Sequence, residues 1–309
     1  MPGAQRRGPV ESGSPRGLPW KSGHPMTVLQ ILILAVVQGA CEMLPVSSSA
    51  HVIMVEKFMG LDPTDPAMTF LLVMLHTGTM FAVIAYFWSA WRARYFASRA
   101  AFWPFAKGVA LATVLTGGIG LALMLLIERV VLRGSPRAEV EELFGNTYLI
   151  AAGLASVGVL IVLSGWREAA AHGRRGLGLA GAAWIGAIQA LCLPFRGFSR
   201  SGATISTGLL LGIEKIAVED FSFALAVVLT PAVVVKEGYR LLKANAAALA
   251  HGGGLLQITW PSLLGMGLSF LAALAALRWL SRWLERSQWH WFGYYCLLAA
   301  IAVFALAAR

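Results

Sequence analysis

The chain has 309 residues, 58% of them hydrophobic and only 13% charged, with a mean hydropathy of +0.69; soluble domains carry about 25% charged residues, so this one has too little polar surface to cover itself in water. Its formal net charge of +10 would suggest nucleic acid in a soluble protein, but Arg and Lys fall mainly in short segments between apolar stretches, a pattern that reports membrane topology and no nucleic-acid partner. The three cysteines, Cys41, Cys192 and Cys296, lie in or beside apolar segments without metal-ligand spacing, which argues against a disulfide framework or a structural zinc.

From the N-terminus, residues 1–25 are rich in Pro, Gly, Ser and Arg and lack an apolar run. They read as a disordered basic extension and not as a signal peptide, leaving 26–309 as a single membrane domain. A bilayer core of about 30 Å needs roughly 20 apolar residues per helical crossing. Segments of that kind fall at 68–88, 108–127, 148–164, 218–238, 260–280 and 291–308, which predicts six transmembrane helices. Residues 27–60 and 179–213 differ. Their flanks are apolar, but Pro45 with Ser47, Ser48 and Ser49 interrupts the first, and Pro194, Arg196, Gly197, Ser199 and Arg200 interrupt the second. Irregular polar backbone at membrane depth is tolerated only where protein buries it or water reaches it, so both segments are expected to be re-entrant helical hairpins. The fold class expected is all-α, a polytopic membrane helix bundle.

Loop charges give an orientation. Segment 89–107 carries Arg92, Arg94, Arg99 and Lys107 without an acid, and 165–178 carries Arg167, Arg174 and Arg175 against Glu168; both are expected on the cytoplasmic side. In 128–147, Arg129, Arg133 and Arg137 are balanced by Glu128, Glu139, Glu141 and Glu142, which suits the outer side. The same alternation puts 239–259 outside and Arg282 and Arg286 inside; only the basic N-terminal tail points the other way. Each half, roughly 27–164 and 179–308, is then one hairpin followed by three crossings, and the odd number inverts the second copy. Gln38-x-x-Cys41 and Gln189-x-x-Cys192 share a spacing, each followed by a proline and a serine-containing turn. Inverted repeats with broken helices place a binding site near the midplane.

Chemistry concentrates in the two breaks. In the first, Gln38 and Glu42 are four apart and share a helix face. An ionisable residue in an apolar span is expensive, so Glu42 should face a cavity and have a partner. His51, nine residues on, is the side chain best suited to proton transfer near neutral pH. Pro45 and the serines have a plainer reading as kinking and packing residues. The second break places Arg196 and Arg200 among Gly197, Ser199, Ser201, Gly202 and Thr204. That composition suits an anion cradle, because guanidinium binds phosphate oxygens bidentately, glycines admit backbone N–H groups, and a helix restarting there points its positive end at the anion. The alternative is that these arginines snorkel to the interface. His76 reads as a hydrogen-bonded helix residue that could line the cavity.

Taken together, Gln38-x-x-x-Glu42, Leu44-Pro45-Val46-Ser47-Ser48-Ser49-x-His51, Leu75-His76-x-Gly78-Thr79, Gly197-x-Ser199-Arg200-Ser201-Gly202-Ala203-Thr204 and Phe221-Ser222-Phe223 resemble the signature motifs of the bacterial undecaprenyl-diphosphatase family, also called bacitracin-resistance proteins. The likeness runs from about residue 27 to the C-terminus. Position 38 is Gln where many members have Glu, Ala50 replaces a usual Gly, and Pro194 to Phe198 replaces a shorter turn. The resemblance implies hydrolysis of undecaprenyl diphosphate, a polyisoprenoid diphosphate lipid, in the bacterial inner membrane, at a site opening to the outer side and assisted by Mg²⁺ or Ca²⁺; it leaves a homodimer open. Arg200 is then expected to clamp phosphate. Glu42, helped by Gln38, binds the cation or orients water, His51 serves as acid/base or nucleophile, and Ser48 is the rival nucleophile. Ser47, Ser49, Gln189, Arg196, Gly197, Ser199, Ser201 and Thr204 are expected to contact substrate. A polyprenyl-phosphate flippase using the same midplane site is the alternative, and a scaffold is disfavoured by the cost of burying Glu42 and Arg200 without use.

Overall fold

The structure, a computed structural model, describes residues 26–133, 140–170, 175–246, 249, 255–284 and 289–308. The extension over 1–25 and the side chains of Arg137, Glu139, Glu141, Glu142, Glu168, Arg174, Arg282 and Arg286 lie outside the described residues.

Among the described residues the chain forms ten α-helices and no strand: α1 Val28–Glu42, α2 Ser48–Phe58, α3 Pro66–Tyr95, α4 Arg99–Leu126, α5 Thr147–Ala170, α6 Leu179–Leu191, α7 Arg200–Leu210, α8 Lys215–Ala244, α9 Leu255–Leu284 and α10 His290–Ala307. Local chemistry sets the starts. Thr27 and Gln30 form a reciprocal capping box at α1. Asp65 accepts from Ala67 N–H at 2.8 Å with Pro66 opening α3, a position where the missing N–H costs nothing. Ser98 caps α4 in the same way.

Six of these, α3, α4, α5, α8, α9 and α10, are long and apolar enough to cross a membrane, and each contains most or all of one predicted crossing. The protein is therefore an all-α polytopic membrane bundle. Its outer surface is apolar, as a bundle in lipid requires: Val28, Leu29, Leu32, Ile33 and Val36 on α1 and Leu298, Ile301 and Phe304 on α10 all face outward.

Packing follows the division into halves. α1 lies on α9 and α6 on α4, while α3 meets α8 and α5 meets α10. Exchanging α1–α5 with α6–α10 maps these pairs onto one another, which is the pattern a two-fold repeat produces. Small residues permit the approach. A Cβ on Gly39 would sit 2.7 Å from Ala273 N, and one on Gly186 would sit 2.5 Å from Ala112 Cα. The four shorter helices form two pairs, α1 with α2 and α6 with α7, joined by the Pro/Ser-rich turns. Helix α7 packs on α5 and α8, carrying the second motif into the bundle.

Candidate active site

The first motif is shaped by its turn. Helix α1 ends at Glu42, Pro45 prevents its continuation, and Ser47 takes a left-handed conformation with φ 63° before α2 starts at Ser48. A non-glycine residue there is uncommon and marks a backbone held by its surroundings. The reversal folds Ser48 back onto Glu42. Gln38 Nε2 and Ser48 Oγ each donate to Glu42 Oε2 at 2.7 Å, and Gln38 and Glu42 are buried.

The second motif arrives from the other half. Gly197 has φ 96° and lies so close to α5 that a Cβ would be 2.3 Å from Ile150 O, so only glycine fits this turn. Ser199 then caps α7, its hydroxyl accepting from Gly202 N–H at 3.2 Å. Arg200 is the first residue of α7, and its NH2 reaches Glu42 Oε1 at 2.7 Å while NH1 donates to Ser222 O at 3.3 Å. The two turns touch, since a Cβ on Gly202 would lie 3.1 Å from Pro45 O. The carboxylate of Glu42 thus accepts from a guanidinium on one oxygen and from two neutral donors on the other.

His76, on α3, completes the group. Its Nδ1 lies 2.8 Å from Leu72 O and its Nε2 lies 3.4 Å from Ser48 Oγ and 3.5 Å from Glu42 Oε2. A carbonyl can only accept, so Nδ1 carries a hydrogen and Nε2 faces the serine and carboxylate. The residue is hydrogen-bonded within its helix and also lines the site.

Other predicted residues take different positions. His51 places Nδ1 2.9 Å from Ser47 O and Nε2 2.7 Å from Tyr295 OH, its ring stacked on the tyrosine; by the same reasoning Nε2 accepts the tyrosine hydrogen. Its hydrogen bonds therefore run to Ser47 and Tyr295, and Glu42 is not among those partners. Gln189 donates to Thr116 Oγ1 on α4 at 3.3 Å. Arg196 holds its guanidinium 4.0 Å over the Phe144 ring, a cation–π contact. Thr204 is buried, its hydroxyl 2.6 Å from Ser222 Oγ and donating to Arg200 O at 2.8 Å, so it fastens α7 to α8. Ser201 Oγ lies 3.4 Å from Ser199 Oγ, both buried, and Ser49 is half-buried in the first turn of α2. Sequence reasoning gave no role to Tyr295, which carries no motif of its own, or to Ser222, whose only signal is Phe221-Ser222-Phe223.

Two buried oxygens near the carboxylate, Gln38 Oε1 and Ser47 Oγ, have no hydrogen-bond partner. Among the described residues no group of three or more His, Cys, Asp or Glu could hold a metal ion. A cation here would have Glu42 as its only protein carboxylate, with Gln38 Oε1 as a neutral oxygen beside it. Mg²⁺ is commonly held in that way, by one or two carboxylates plus substrate phosphate oxygens, so the residues fit such an ion.

Comparison with known proteins covers nearly the whole chain. A family model described as "Bacitracin resistance protein BacA" matches residues 31–302. The "Undecaprenyl-diphosphatase 2" of Acinetobacter baylyi is 56% identical over 290 residues, covering 92% of this chain and 99% of the relative. An "Undecaprenyl-diphosphatase" of Thermus thermophilus is 34% identical over 279 residues, 89% and 96% of the two chains, and one of Rhodopirellula baltica is 29% identical over 282 residues, 91% and 99%.

Proposed function

The chain belongs to the bacitracin resistance protein BacA family, and from that premise we propose that the pair of buried Glu42 and half-buried Arg200 is its catalytic centre. The protein is a multi-pass membrane phosphatase that hydrolyses undecaprenyl diphosphate to undecaprenyl phosphate and inorganic phosphate, recycling the lipid carrier for cell-wall synthesis. Hydrolysis is favoured over lipid transport by the names its relatives carry. One observation carries the assignment of the site: two polar motifs from separate halves of an apolar bundle converge so that a carboxylate and a guanidinium meet at 2.7 Å, the carboxylate buried. An apolar core does not hold such a pair without use.

The reaction breaks the anhydride P–O bond, transferring the terminal phosphoryl group to water, directly or through an enzyme nucleophile. Most catalysis of this kind is positioning and charge stabilisation. Arg200 has donors beyond those given to Glu42 and Ser222 O, and it opens α7, where Ser199 and Ser201 add hydroxyls; an anion bound at that helix start would be stabilised by guanidinium and helix dipole together. Ser48 gives its hydrogen to Glu42, which leaves Oγ activated for attack on phosphorus. His51, bonded to Tyr295, is the competing nucleophile or acid/base. Mg²⁺ or Ca²⁺ at Glu42 and Gln38 would supply further neutralisation of the diphosphate charge. The discriminating experiment is phosphate release from a C55 diphosphate by purified protein in detergent, with and without chelator. Release that chelator abolishes and added Mg²⁺ or Ca²⁺ restores is expected. Absence of release would remove the function, and release indifferent to chelator would remove the cation.

Helices α1 and α6, with 15 and 13 residues, span only about 20–23 Å at 1.5 Å per residue, too short to cross, yet α1 exposes Val28, Leu29, Leu32, Ile33 and Val36. That combination supports two re-entrant hairpins; the loop charges, separately, support 89–107 as cytoplasmic, with the site opening outward, where the diphosphate is left after glycan transfer. Single cysteines in 89–107 should resist impermeant thiol reagents applied from outside, and single cysteines in 128–147 should react; the reverse pattern would invert the orientation.

A further inference from the structure

The basic end of the bundle holds a second cavity that the reaction does not use. It has a volume of about 580 Å³ and lies where α3 ends and α4, α6 and α8 begin. Arg94 is 18 residues beyond His76 on the same helix, about 27 Å along its axis, so the cavity lies well beyond the His76 side of the phosphate site; on the Arg200 side it comes nearer, since its Phe105 meets Phe221 edge-on, the neighbour of the Ser222 whose carbonyl Arg200 reaches. Its walls are apolar, with Phe105, Leu177 and Leu179 among them, and its polar groups include the cations Arg94 and Lys107 with Trp103 beside them. No Asp or Glu lines it among the described residues.

The cationic wall is built into the fold. Asp220, buried at the start of α8, accepts from Trp91 Nε1 at 2.8 Å and from Tyr95 OH at 2.9 Å, and it pairs with Arg94. Tyr95 stacks on Phe105 with ring centroids 4.1 Å apart. Three donors on one carboxylate hold the end of α3 against α8, while the Arg94 side chain stays 44% exposed. Lys107 and Trp103 are exposed as well.

We propose that this cavity binds an anionic phospholipid, seating its phosphate between Arg94 and Lys107 and its first acyl carbons against Phe105, Leu177 and Leu179. A basic pocket between transmembrane helices near the interface suits an anionic headgroup, and an exposed tryptophan is the side chain that anchors at headgroup depth. Its volume falls in the range of small-molecule sites, enough for a headgroup and a few methylenes. Among the described residues no serine or threonine lines the cavity, unlike the catalytic site, which fits retention of a lipid without turnover. The proposal does not depend on which face is cytoplasmic.

The test is native mass spectrometry of the full-length chain in detergent, titrated separately with phosphatidylglycerol and phosphatidylcholine, and with inorganic phosphate as a competitor. Wild-type protein should retain one phosphatidylglycerol preferentially, and inorganic phosphate should not displace it. Lys107→Ala should weaken retention about five-fold, as loss of one lysine near an anionic headgroup predicts. Ala101→Trp, which narrows the cavity without touching its charge, should weaken retention at least as much. Phosphate release from a C55 diphosphate should stay within about two-fold of wild type in both variants, because neither residue lies at the catalytic site. Equal retention of the two lipids, displacement by inorganic phosphate, or retention unchanged in both folded variants would overturn the proposal. Preferential displacement of the bound lipid by a polyprenyl monophosphate would overturn the occupant named here.

Discussion

Arg200→Ala is expected to lower phosphate release from undecaprenyl diphosphate by about a hundred- to thousand-fold, the loss of about 2.7–4 kcal/mol that removing one charge-stabilising contact from a water-poor site produces. Arg200 holds its guanidinium on Glu42 at 2.7 Å, so on the proposed assignment its removal takes away the positive charge offered to the diphosphate. Removal also strands a buried carboxylate, and breaking such a pair costs about 3–5 kcal/mol of stability. The thermal transition of the variant should therefore fall together with its activity. Arg200→Lys restores a charge but not the fork that spans Glu42 Oε1 and Ser222 O, so it should recover little activity. Rates measured on monodisperse protein check both. Near-normal turnover in folded Arg200→Ala would make the second motif structural.

Glu42→Gln should be similarly damaging, by about a hundred-fold or more, and for a separable reason. The substitution keeps the shape that Gln38 and Ser48 bond to but removes the negative charge that balances Arg200 and that would hold a divalent cation. If Glu42 holds the ion, the metal concentration for half-activity rises as well as the maximal rate falling. Gln38→Ala provides the contrast. Its amide is neutral and orients the carboxylate, so it should cost about ten-fold or less and leave the metal requirement nearly unchanged. A metal titration of the three proteins reads this directly, and a Glu42→Gln variant with wild-type rate and metal dependence would exclude the carboxylate from the chemistry.

The membrane architecture was legible because a crossing is a run of about 20 apolar residues and needs no tertiary knowledge. The pair of Gln38 and Glu42 was legible for a similar reason, since residues four apart on a helix are neighbours. Arg200 stood out as a cation among glycines and hydroxyls, although an arginine snorkelling to the interface would have left the same trace in the sequence. What the sequence could not convey depends on packing. Gln189 looks like the counterpart of Gln38, but four residues on stands Leu193 where the first half has Glu42, and without a carboxylate its amide turns to Thr116. Arg196 precedes a glycine at positive φ, and the direction of that turn, which places the guanidinium over Phe144, is set by contact with α5. His76 and His51 are both histidines on apolar helices. Only the placement of α3 and α10 shows that one faces Ser48 and the other Tyr295.

The central claim is that the two motifs act as one site, and a double-variant cycle tests it most directly. Phosphate release by Arg200→Ala, by Glu42→Gln and by the protein carrying both substitutions is compared with wild type under saturating metal. Groups that act as a unit are strongly non-additive, so the double variant should be slowed about as much as the worse single variant, within roughly ten-fold. Losses that multiply, with the double variant slower by about the product of the two single effects, would show the motifs acting independently and would contradict the shared site.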